Sequence, residues 1–143
     1  MTAKSKLRAR LTDPARSGVY RVTHDRDIRD ALSKGDVDLV PVTLGHGKAA
    51  MLKAVAQSLG FPDWFGGNWD ALEDSLTDLS WRKQGARVLV ISGAAAGDDL
   101  GILVDILSSA AEFWRERGQA FFAVFVDPAG NLTLPALYKE KDG

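Results

Sequence analysis

Two short runs, Arg87–Ile91 (RVLVI) and Ala120–Val126 (AFFAVFV), are apolar at nearly every position and show no alternation. Strands of that kind are usually covered on both faces, as in parallel sheets. Val19–Val22 (VYRV) and Val37–Leu44 (VDLVPVTL) predict two further strands, the second weakened by Pro41, which cannot donate to a ladder and prefers edges or bulges. Between the strands the period changes to that of a helix. Ile28, Ala31 and Leu32 share a face over Asp25–Lys34, with Gly35 as a stop. Met51, Leu52, Val55, Ala56 and Leu59 do so over Lys48–Leu59, closed by Gly60 and Pro62. A third helix is expected over Asn68–Ser80, and a long one runs from an Asp98 or Asp99 cap to about Arg117. Leu132–Leu137 suggests a short edge segment after the DPAGN turn. Strands alternating with helices predict an α/β fold, with a small parallel sheet of three to four strands packed with helices.

No repeat, low-complexity tract or linker divides the 143 residues, a length that suits one domain. Residues 17–137 are expected to form it. Residues 1–16 lack an apolar period and are expected to be a flexible basic tail, and 138–143 a frayed end. The chain has no cysteine, which removes disulfides, thiolate catalysis and cysteine-bound zinc. It shows neither a signal-peptide core nor an apolar run long enough to span a bilayer, so no membrane partner is expected and the cytoplasm is the expected compartment.

The formal net charge of −1 argues against nucleic acid as the primary partner but hides an uneven distribution. Residues 1–16 carry five bases (Lys4, Lys6, Arg8, Arg10, Arg16) against Asp13. Residues 61–81 carry five acids (Asp63, Asp70, Glu73, Asp74, Asp78) and no base. The basic arm could add weak, salt-sensitive RNA contact.

Signals for chemistry are thin. Gly45-His46-Gly47-Lys48 sits between a strand and a helix, as a phosphate loop would. The P-loop glycine is missing upstream, however, and Ala49 stands where a serine or threonine must hold magnesium. His24 and His46 each fall in a turn, with neither a nucleophile nor further metal ligands in reach. Asp70/Asp74 and Asp74/Asp78 are i, i+4 pairs that could hold magnesium or act as an acid and base, but carboxylates along one convex helix face cannot flank a substrate. No catalytic residue, metal or cofactor is expected, and the protein is read as a non-enzyme.

The stretch FGGNWDALEDSLTDL (residues 65–79) separates cleanly on a helical wheel of about 100° per residue. Trp69, Leu72, Leu76 and Leu79 form an apolar stripe. Asp70, Glu73, Asp74, Thr77 and Asp78 form a polar one, and Asn68 is a good N-cap. A solvated face is the plain alternative. Against it, Asp is a mediocre helix former, and each like-charged i, i+4 pair costs roughly 0.2–0.5 kcal/mol. The stripe suits a positive surface outside the domain. In the preceding loop Phe61 or Phe65 suits the core, and Trp64 suits either the core or a partner contact.

Phe61 to Thr77 carries the pattern P-x-aromatic-aromatic-G-x-N-x-D-A-L-x-D-x-L-T without a gap. It resembles the central loop and helix of the barstar family, intracellular inhibitors of the ribonuclease barnase. The order of elements agrees over about Val37 to Val126, and the residues before Val37 form an N-terminal extension. The resemblance implies a barstar-like fold and a protein partner, a barnase-type or toxin ribonuclease whose basic active site is blocked by the acidic helix and its loop. It implies that Asp74 enters the enzyme's phosphate site and that Asp70 faces the basic rim. Trp64, Gly66, Asn68 and Thr77 would be further contacts. Glu73 stands where the family has an aromatic residue, and the family's further acid on the last helix has no clear counterpart, with Glu112 and Glu116 nearby. The alternative is a non-inhibitory interaction domain, or an immunity protein, for another basic partner.

Overall fold

The computed structural model describes residues 2–62 and 66–139. Among these, four strands form one parallel sheet in the order β1-β4-β3-β2. In chain order the elements are α1 (Ala3–Leu11), a 3-10 turn (Pro14–Arg16), β1 (Gly18–Val22), α2 (Arg26–Ala31), β2 (Asp38–Thr43), α3 (Lys48–Leu59), α4 (Trp69–Leu76), β3 (Arg87–Ser92), α5 (Asp98–Glu116) and β4 (Phe121–Val126). The two unbroken apolar runs are the central strands. Leu89, Ile91, Phe121, Ala123 and Phe125 face one core together with α3, α4 and α5. Val88, Val90, Phe122 and Val124 face a second core with α1 and α2.

Right-handed crossovers explain this division. The connection from β1 to β2 travels across the sheet in one direction and leaves α2 on one face. The connections from β2 to β3 and from β3 to β4 travel back and leave α3, α4 and α5 on the other.

Pro41 finds its place at an edge. Asp38 and Leu44 donate their backbone N–H groups to Ala86 and Ser92, so the even positions of β2 face β3. The nitrogen of Pro41 therefore points to the open side of the sheet. A proline there removes a donor from an exposed edge and blunts it against pairing with other chains.

Several expectations change. The segment read as a basic tail contains α1, capped by Thr2, whose Oγ1 accepts from the Ser5 N–H at 3.0 Å. Leu7 and Leu11 are buried in the second core, Arg8 pairs with Asp36, and Arg10 donates to the Leu137 carbonyl at 3.0 Å. Two leucines at i, i+4 are enough to dock a helix but too few to show a period. At the other end, Leu137 is buried and the Tyr138 hydroxyl donates to Asp27 at 3.1 Å, so the expected fraying does not begin at residue 138. Residues 140–143 lie outside the described residues. The 132–137 segment makes a parallel bridge, Arg21 to Ala136, on the outer side of β1. Gly97, not Asp98 or Asp99, caps α5, and the two acids occupy its first turn, where the helix dipole favours them.

The return from α4 to β3 is held by charge. Asp38 accepts from Arg82 Nε at 2.9 Å, Arg82 Nη2 at 2.8 Å and Arg87 Nε at 2.8 Å. Arg87 is only 3% exposed, and its Nη2 also donates to the Lys83 carbonyl at 2.7 Å. Arg82 Nη1 and Trp81 Nε1 both donate to the last carbonyl of α3, that of Leu59, at 3.1 and 3.0 Å. Phe61 meets Trp81 edge-on, with ring centroids 5.7 Å apart. These contacts clamp both ends of the segment that carries α4.

Candidate functional site

α4 is a short helix with a strong division of faces. Leu72 and Leu76 are fully buried against the first core, and Trp69 is half-buried beside them. Asn68 caps the helix, its Oδ1 accepting from the Ala71 N–H at 2.7 Å. A cap of this kind stabilises by about 1 kcal/mol. At the other end Trp114 Nε1, reaching from α5, donates to the Leu76 carbonyl at 2.8 Å. That bond satisfies one of the carbonyls that a helix C-terminus leaves open. The C-terminus of α4 is therefore tied to α5, while its N-terminus is capped by its own Asn68.

The expected helix over Asn68–Ser80 stops sooner, at Leu76. Thr77 and Asp78 form a turn, and Leu79 adopts φ 50, a left-handed conformation unusual for a leucine. Leu79 still reaches the core, 1% exposed, but through the turn and not along the helical stripe. Asp78 is exposed beyond the helix end.

Asp70, Glu73 and Asp74 are exposed on the outward face of α4, as the wheel predicts, and among the described residues none of them forms an ion pair. Thr77 is half-buried, and its hydroxyl donates back to the Glu73 and Asp74 carbonyls at 3.0 and 3.3 Å. Its hydroxyl is thus partly committed to the helix end. Gly66 is exposed and has room for a Cβ, whose nearest neighbours would lie at 3.5 and 3.6 Å. The backbone's own demand for glycine falls on Gly67, at φ 68. Trp64 lies outside the described residues, as do Asp63 and Phe65. On α5, Glu112 is engaged by Arg115, whose Nε donates to it at 2.8 Å, and Glu116 is exposed.

Two features have no counterpart in the sequence pattern. Lys48 Nζ lies 5.8 Å from the centroid of the Trp69 ring. The residues are too far apart in the chain for any local period to pair them. The second is Ser75, which is fully buried with an Oγ that has no hydrogen-bond partner among the described residues. Burying a hydroxyl without a partner costs roughly 1–3 kcal/mol. Ser75→Ala is therefore expected to stabilise the protein by about 1 kcal/mol, raising Tm by about 3 °C in a thermal melt. A lower Tm would mean that the hydroxyl is serving an interaction that the native packing needs.

Among the described residues, no group of three histidine or acidic side chains is placed to hold a metal ion, and no helix is long and apolar enough to cross a membrane. The exposed acids Asp70, Glu73 and Asp74 share the outward face of one helix. A family model described as Barstar (barnase inhibitor) matches residues 42–126. That span runs from β2 to the end of β4 and includes α3, α4, β3 and α5. No curated protein and no solved structure matches the chain. With more than half of its length matched, from the edge strand through the acidic helix to the last strand, this chain belongs to the barstar family.

Proposed function

We propose that this protein inhibits a barnase-type ribonuclease by seating α4 and the loop before it over the enzyme's basic active site. One observation carries the reading: within the family match lies a helix whose outward carboxylates, Asp70, Glu73 and Asp74, have no cationic partner among the described residues. A ribonuclease must surround a phosphate with positive charge, and a preformed row of carboxylates stands in for the RNA backbone. Long-range attraction then speeds encounter, and desolvated charge pairs slow release. Asp74, in the last turn of α4, would enter the phosphate site, and Asp70 would meet its rim. Glu73 takes the place of an aromatic family contact. Trp64, Gly66, Asn68 and Thr77 would border the patch. The inhibitor performs no reaction and needs no cofactor, and the cytoplasm is where silencing such an enzyme matters.

The test is inhibition itself. Titrated into barnase, the purified protein is expected to suppress cleavage of a fluorogenic RNA substrate, with one inhibitor bound per enzyme. Full ribonuclease activity at saturating protein would overturn the reading.

A further inference from the structure

We propose that Lys48 is a specificity residue of this face, one that penalises ribonucleases whose surface is basic throughout and favours those with a carboxylate opposite the start of α4. The inference rests on the inhibitor reading. Its first support is placement. Nζ of Lys48, the first residue of α3, lies 5.8 Å from the Trp69 ring centroid, within cation–π range. Trp69 sits between the cap Asn68 and the acid Asp70. The ammonium thus lies beside the first turn of α4, over the residue that precedes Asp70. Lys48 is exposed and forms no ion pair among the described residues.

The second support is that folding gives little reason for a base here. α3 has Gly47 at its N-cap with no side-chain cap, and no acid in its first turn. The positive end of the helix dipole therefore meets a positive side chain, an unfavourable arrangement for the fold. The plain alternative is a solubilising surface lysine held on a convenient ring. The two differ in what happens on encounter, because a charge at an interface rim acts mainly on the association rate and its salt dependence.

The experiment measures the association rate with barnase, by stopped flow at low salt, for the wild type and for three variants. Lys48→Glu reverses the rim charge and Lys48→Gln removes it. Lys34→Glu makes the same change in net charge at an exposed lysine just beyond α2, which packs on the opposite face of the sheet. Lys48→Glu is expected to raise the rate about three- to tenfold, and Lys48→Gln by about half that on a logarithmic scale, because the local repulsion is removed. Lys34→Glu is expected to change it by less than about twofold, and the differences should vanish near 1 M salt, where the Debye length falls to about 3 Å. A rate for Lys48→Glu equal to or below that of Lys34→Glu overturns the inference while leaving the inhibitor reading intact. Absence of any inhibition by the wild type removes the inhibitor reading and this inference with it.

Discussion

On the inhibitor reading, replacing Asp74 with alanine is expected to weaken binding to barnase by about 1.5 to 3.5 orders of magnitude while making the free protein slightly more stable. Truncating one member of a buried charge pair across an interface costs roughly 2–5 kcal/mol, a range that barnase and barstar themselves helped to define. Each 1.4 kcal/mol is about a factor of ten in Kd. Stability moves the other way for local reasons. Asp74 stands one turn after Asp70, in the last turn of α4, away from the helix N-terminus where a carboxylate would gain from the dipole. Alanine is the better helix former and removes the like-charge neighbour, together worth roughly 0.5–1 kcal/mol. Titration calorimetry with barnase and a urea melt of the free variant check the two effects. A side chain that merely solvates the helix would leave Kd unchanged, and that result would take Asp74 out of the site. Opposite signs in affinity and stability are what a residue kept for binding should show.

Removing the carboxylate of Asp38 should produce the largest loss of stability of the changes considered. Asp38→Ala leaves the Arg82 and Arg87 guanidinium groups without their shared acceptor, and Arg87 is almost fully buried. Breaking a buried pair costs roughly 3–5 kcal/mol, and partial exposure of Arg82 and Asp38 argues for the lower end, about 3 kcal/mol. The effect depends on pH in a defined direction. Burial raises the Asp38 pKa, but the hydrogen bonds and charges of Arg82 and Arg87 together outweigh it, and the carboxyl ends below its ordinary value. A folded pKa below the unfolded one contributes stability that is complete above the unfolded value, near 4, and is lost as pH falls through the folded one. Urea midpoints for wild type and Asp38→Ala should therefore differ most at neutral pH and converge in acid. A constant gap down to about pH 2 would mean that the loss comes from packing and not from the charge.

Much of the fold is legible in the sequence wherever one element's own period decides the outcome. The bounds of α3 follow from Met51, Leu52, Val55 and Leu59 with Gly60 behind them, and the two unbroken apolar runs become the central strands. The division of α4 into two faces was visible for the same reason. What escaped depends on contacts between distant parts of the chain. Nothing local shows that Leu7 and Leu11 find a second core, or that Arg82 and Arg87 converge on Asp38. Nor does any local pattern place Lys48 over Trp69. The angle of Leu79 on the wheel fits the helical stripe. Only the tertiary structure shows that a left-handed turn delivers it to the same place. The acids of the candidate site were found early because they lie on a single helix. In the loop, only φ shows that the backbone demand for glycine falls on Gly67 and not on Gly66.

The position of β1 in the sheet has a consequence for timing. Its inner neighbour is β4 and its outer neighbour is the 135–137 segment, so every backbone partner of the first strand comes from the end of the chain. At the seam, the hydroxyl of Ser17 accepts from the Phe121 N–H, a bond that joins residues 104 positions apart. Loops of that length close slowly, and pairings between distant strands are what retard folding. In a growing chain β1 therefore waits for its partners. The first strand is seated only after residues 121–137 have been synthesised, so the complete sheet waits on them.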